Sequence, residues 1–149
     1  MHTRAFSIIL GFLLLGETLS CRANPPADAK ARAIYDHDKE WLSHFPAPFV
    51  ASNIRGHGME YAERRQAALD LVRQQRDFGV VSELTDALRE NSFLSAEIID
   101  ILVDWKAKRA LPVLKEVAKD ANREKAVRDK ARDAYDEISA AQPDRPPVY

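Results

Sequence analysis

The chain has a single cysteine in its 149 residues, Cys21, which excludes an intramolecular disulfide and a multi-thiolate metal site. It has five glycines, too few for the tight turns that a sandwich or barrel of many short strands needs. It has no surplus of charge: 22 Lys and Arg stand against 23 Asp and Glu, a formal net charge of −1, with the two signs interleaved. The basic stripe that marks a nucleic-acid-binding surface is missing, so no nucleic-acid partner is expected. No apolar run reaches the ~20 residues of a membrane-spanning helix. Nucleophile elbows, Gly-rich phosphate loops and paired-carboxylate motifs are absent as well, so neither an enzyme nor a cofactor is expected.

What is present begins with an address. Arg4 supplies a positive end, Ile8 to Leu15 a short apolar run, and Thr18-Leu19-Ser20 small residues, the layout of a secretory signal over residues 1–20. Cys21 directly behind that run resembles the bacterial lipobox, in which a thioether lipid is added to the cysteine and the peptide is cut before it. Thr18 stands where the usual pattern has an aliphatic residue, and Glu17 is unusual so near the cut. The resemblance implies a lipid anchor at Cys21 that holds the protein on the bacterial cell envelope, facing the periplasm. The other outcome is cleavage after Ser20 or Ala23 and a soluble periplasmic or secreted protein. Residues 21–27 form a short polar linker stiffened by Pro25 and Pro26, which would keep a tethered domain close to the membrane surface.

The rest reads as all-α. Asp28 is a plausible N-cap for a helix running to about His44, with Ala31, Ile34, Trp41, Leu42 and Phe45 on its apolar side. Pro46 and Pro48 end it, and Phe49 to Gly58 is a loop with a Gly-His-Gly turn. Residues 28–58 are thus expected to be a capping helix and loop that close one end of a stack. Helices follow over Met59–Gln75, Val80–Glu90, Phe93–Trp105 capped by Ser92, Ala110–Lys119, and from a cap at Asn122 to Ala140. Residues 141–149, with three prolines, are an extended tail.

The clearest stretch is Leu94 to Ala118. Ile98, Ile101, Leu102 and Trp105 recur at i, i+3, i+4 and i+7, and Leu111, Leu114 and Ala118 repeat the rule after a polar break, which reads as a helical hairpin. An offset of 30 lays Ala68, Leu71, Val72, Val81, Leu84 and Leu88 onto Ile98, Ile101, Leu102, Leu111, Leu114 and Ala118. An offset of 33 carries Leu94, Ile98, Ile101 and Leu102 onto Val127, Ala131, Ala134 and Tyr135. A hairpin of this kind cannot bury its stripe alone, so neighbours must stack on it.

This period, with Arg109-Ala110-Leu111-Pro112-Val113-Leu114 opening one helix and Val127-Arg128 opening another, resembles the HEAT-like repeats first seen in phycobiliprotein lyases. The resemblance covers roughly residues 60–139. Where that family places Gly-Asp between helices, this chain has Arg76-Asp77 and Lys106-Ala107. The resemblance implies a short α-solenoid of about two and a half hairpins over residues 59–140 that binds proteins. Lyase activity is not implied, because export removes the chain from cytoplasmic pigment assembly.

Within the repeat register Asp70, Asp100 and Asp133 occupy one position, so stacking should line them into an acidic ladder, which Glu97 and Asp104 extend. As a partner-binding surface it would suit a protein with a basic face; the plain alternative is an acidic row that keeps the helices wet. Trp105 is either core or a binding anchor. His37 and His44 lie seven apart on one helical face near Asp36 and Asp38, which leaves a metal-binding or enzymatic face as the third and weakest reading. No metal site is assigned. The functional expectation is an exported, non-enzymatic protein-binding module, in its sharper form an immunity or inhibitor lipoprotein, with a structural or assembly factor of an envelope or secretion complex as the alternative.

Overall fold

A computed structural model describes residues 28–55 and 61–141 of the chain. The signal segment 1–20, Cys21, the linker 21–27, the Gly56–Gly58 turn with His57 and the tail from Gln142 onward lie outside the described residues. The described part is all-α. It has seven α-helices: α1 (Ala29–Leu42), α2 (Ala47–Ser52), α3 (Ala62–Gln75), α4 (Val81–Arg89), α5 (Ser95–Asp104), α6 (Leu111–Lys119) and α7 (Lys125–Ala140). Two single 3-10 turns, Phe78–Val80 and Lys108–Ala110, lead into α4 and α6.

Two elements differ from the sequence expectation. Pro46 and Pro48 do not end in a loop but start the short helix α2, with Pro46 as its N-cap and Pro48 in its first turn. A proline there gives up an N–H that has no helical partner anyway, and its fixed φ suits the turn. Helix α1 is capped by Asp28, which accepts from the Lys30 N–H at 3.1 Å, but it is rotated from the expected stripe. Tyr35, Asp38 and Leu42 face inward, at i, i+3 and i+7, while Ile34 and Trp41 are each 41% exposed. Periodicity alone assigned the aliphatic and indole side chains to the core. The observed face wins because its polar groups meet partners on α3, so burying them leaves nothing unsatisfied.

From α3 onward the stripes fall as the spacing predicts, except on α6, where Val113 and Val117 take the inner places beside Leu114 and the expected Leu111 and Ala118 are only partly buried. Ala68, Leu71, Val72, Leu84, Leu88, Ile98, Ile101, Leu102, Trp105, Leu114, Ala131, Ala134 and Ile138 are all buried in one continuous core. Leu69 and Ile99, again 30 apart, join them, so α3 and α5 are apolar around more than half their girth. Helices that bury so much surface are enclosed by neighbours.

The pairing of helices refines the hairpin reading. Close packing joins α2 with α3, α4 with α5 and α6 with α7, whereas α5 does not pair closely with α6. The stretch Leu94–Ala118 therefore spans the junction between two pairs. Alternate helices also stack, α1 on α3, α2 on α4, α4 on α6 and α5 on α7.

Turn geometry sets this order. Among the described residues the non-glycine positions with positive φ are Tyr61, Arg76, Asn91 and Lys106, each fifteen residues from the next. The last three end α3, α4 and α5. At Asn91 and Lys106 the end is a Schellman motif: Asn91 N–H donates to Leu88 C=O and Ser92 N–H to Ala87 C=O, and Lys106 N–H donates to Val103 C=O and Ala107 N–H to Leu102 C=O. At Arg76 a single bond to Val72 C=O, 3.1 Å, closes the simpler left-handed cap. So Arg76 and Lys106 adopt the backbone conformation that glycine holds most easily, at φ 50° and 49°. Asn122 is not the cap of α7; Glu124 holds that place with no side-chain bond, while Asp120 accepts from the Asn122 N–H at 3.0 Å to form the preceding turn. Buried Arg123 then donates to Asp120 at 3.0 Å and to the Arg89 carbonyl at 2.9 Å, tying this turn to the end of α4.

Candidate functional site

The acidic row takes shape on alternate helices: Asp70 lies on α3, Asp100 and Asp104 on α5, and Asp133 on α7. Three of these carboxylates meet a group on a different segment. Asp70 is half-buried and accepts from the Tyr35 hydroxyl of α1 at 2.5 Å, with Gln66 donating to its other oxygen at 3.2 Å. Asp100 receives Lys130 of α7 at 2.7 Å. Asp104 is 3.4 Å from Arg76 at the end of α3. Asp70 and Asp100 act as struts between stacked helices, Asp104 reaches the turn after α3, and the two pairs on α5 are exposed and of small individual worth. Glu97 is half-buried and Asp133 is exposed.

The junction of α1 with α3 concentrates polar chemistry. Asp38 is 5% exposed and receives a bidentate guanidinium from Arg64, at 3.1 and 3.3 Å. Beside it Lys39 donates to the Tyr35 oxygen at 3.3 Å. Burial and the adjoining Asp70 carboxylate push the Tyr35 phenol well above its ordinary range, so it stays a donor. His37 and His44 are both exposed; His37 Nδ1 lies 3.4 Å from Asp38, whose carboxylate already serves Arg64. Among the described residues no group of three or more His, Cys, Asp or Glu side chains could hold a metal ion.

The rotation of α1 has a consequence that the sequence reading missed. It turns Trp41 outward, where its ring lies 4.6 Å from Phe45, and Phe45 stacks at 4.5 Å on Phe49 of α2. The Arg64 guanidinium stands 5.5 Å from the Trp41 ring and 5.8 Å from that of Tyr61, itself exposed. An aromatic group of this size on the outside is the composition of an interface anchor. The signal for it was in the sequence, since Trp41, Phe45 and Phe49 recur at i, i+4 and i+8, but the same spacing suits a core stripe equally well.

Trp105 sits at the end of α5 and is 2% exposed, with Phe78 of the preceding 3-10 turn 5.3 Å away. It is part of the core. No family model, curated protein or solved structure matches this chain. No helix among the described residues is long and apolar enough to cross a membrane.

Proposed function

We propose that the chain is a short α-solenoid of the HEAT-like kind, exported, tethered to the bacterial cell envelope by a lipid on Cys21, and built to bind another protein without catalysis. The observation that carries the binding reading is the aromatic group of Trp41, Phe45 and Phe49, in which exposed Trp41 and Phe49 stand on two core-anchored helices with partly buried Phe45 between them. Rigid aromatic side chains lose little entropy on docking, and they supply most of the affinity in interfaces where they cluster. The solenoid part is supported by the stacking of alternate helices and by the fifteen-residue spacing of the left-handed turns. With its acids occupied as struts, the row at Asp70, Asp100 and Asp104 is assigned to helix stacking, and the partner surface is assigned to α1 and α2. An immunity or inhibitor role, occluding a toxin or hydrolase in the periplasm, is the sharpest form of this reading.

The test is quantitative affinity capture from envelope extract with the wild-type chain and a Trp41→Ala/Phe49→Ala variant. Each side chain is 41% exposed and outside the buried core, and a circular-dichroism spectrum matching wild type checks that the variant keeps its fold. A specific protein whose recovery falls at least ten-fold with the variant supports the reading. Equal recovery of every captured protein overturns it. Retention of the chain in the membrane fraction, lost on Cys21→Ser, tests the tether separately.

A further inference from the structure

Between the turn that follows α3 and the turn that follows α5 lies a cleft of about 550 Å³, within the range of ligand pockets. The two turns are equivalent in the 30-residue register, but they carry different chemistry. The first contributes Phe78, 52% exposed, whose ring leans on Trp105 to form an apolar floor. The second contributes three cations in four residues, Lys106, Lys108 and Arg109. All three are exposed, and none has a carboxylate partner among the described residues, whereas most of the described arginines have one. Trp105 lines the cleft and its Nε1 is buried with no hydrogen-bond acceptor among the described residues, so its indole proton reports on whatever settles against the ring.

We infer that this cleft receives an acidic peptide segment of a partner protein, an aliphatic or aromatic side chain seated on Phe78 at the edge of Trp105, and carboxylates facing Lys106, Lys108 and Arg109. The charge fits one sign of ligand. Three cations on one short turn are too few to track a phosphate backbone, and the apolar floor beside them suits a segment that alternates acidic and hydrophobic residues. The inference rests on the protein-binding reading and adds a second contact surface to it.

The experiment follows the two indole N–H signals of the full chain by 15N–1H NMR, assigned with Trp41→Phe, while adding an end-capped peptide of alternating Asp and Leu. Controls are the same peptide with Asn for Asp, inorganic phosphate, and vesicles containing phosphatidylglycerol. The expected result is a saturable shift of the Trp105 indole signal with the acidic peptide, at least ten-fold weaker binding of the Asn peptide, and at least ten-fold weaker binding in Lys106→Glu/Arg109→Glu. Absence of saturation, equal binding of the two peptides, indifference to charge reversal, or the same shift from phosphate or vesicles alone would each overturn it. The two proposals fail separately: a partner still lost with Trp41→Ala/Phe49→Ala, alongside a silent Trp105 signal, leaves the protein-binding reading standing and removes the cleft.

Discussion

The junction of α1 with α3 and that of α5 with α7 join stacked helices by opposite means. At the first, Tyr35 and Asp38 turn inward and are satisfied by Asp70 and Arg64. At the second, α5 and α7 share the apolar core, α7 contributing Ala131, Ala134 and Ile138, and the polar link from Lys130 to Asp100 lies at the solvent edge. An apolar seam is non-directional and adds stability with area. A buried polar latch adds less net stability, but it fixes rotation, because only one setting of α1 satisfies every donor. That setting leaves Trp41 outside. Orienting the aromatic surface is therefore tied to keeping that latch closed.

The largest effect should come from cutting the seam. Leu102→Ala removes a fully buried side chain and should destabilise the chain by about 2–5 kcal/mol, read as a lower urea midpoint with unchanged m-value. Asp38→Ala should lose less, about 1–3 kcal/mol, since it removes the acceptor of two guanidinium bonds but leaves Arg64, more than a third exposed, able to turn to water. Hydrogen exchange distinguishes the two junctions: Asp38→Ala should strip protection from α1 while α5, α6 and α7 keep theirs. Equal loss over all helices would mean that α1 is no separable cap and would break the comparison.

The same contrast explains what could be read from residues alone. Where burial is apolar, the i, i+3, i+4 pattern located the helices from α3 to α7 to within about three residues and named about two-thirds of their core, leaving out Ala67, Leu69, Ala87, Ile99, Val113 and Val117. At α1 the pattern misled, because an inward Asp38 and an outward Trp41 invert the ordinary preference, and only the partners on α3, 26 and 35 residues away, decide the matter. Helix α2 escaped notice because two prolines read as punctuation. The acidic row was legible as a register, but not as a set of struts, since Lys130 and Arg76 become neighbours of Asp100 and Asp104 only through stacking.

A smaller effect sharpens the latch itself. Tyr35→Phe should cost about 1.5 kcal/mol near neutral pH, the loss of one hydrogen bond to a carboxylate. The dependence on pH has a definite sign. The Tyr35 phenol is raised above its ordinary value of 10.0 in the folded chain, so its contribution is complete below pH 10 and fades above it, as the unfolded chain gives up the proton first. Urea melts of wild type and Tyr35→Phe should therefore converge as the pH rises past 10. A gap that stays constant would show that the phenol's protonation state does not stabilise the junction.

The smallest effect concerns the turns. Arg76 and Lys106 hold left-handed backbone at the ends of α3 and α5, where a side chain crowds its own peptide, whereas α1 ends at Ser43 in ordinary helical geometry. Glycine at either site should relieve that crowding and raise stability by about 0.5–1 kcal/mol, less whatever freedom it adds to the unfolded chain. The Arg76–Asp104 pair lost on the way is exposed on both sides and contributes little. Asn91→Gly should gain less than either, because asparagine tolerates this conformation. If α3 to α6 is a true repeat, Arg76→Gly and Lys106→Gly should gain equally and their gains should add in the double variant, since they occupy the same place in successive units. A gain at one turn only would mean that the register is a matter of spacing without equivalent structure, and the contrast between a latched cap and a repeating body would then lose its second half.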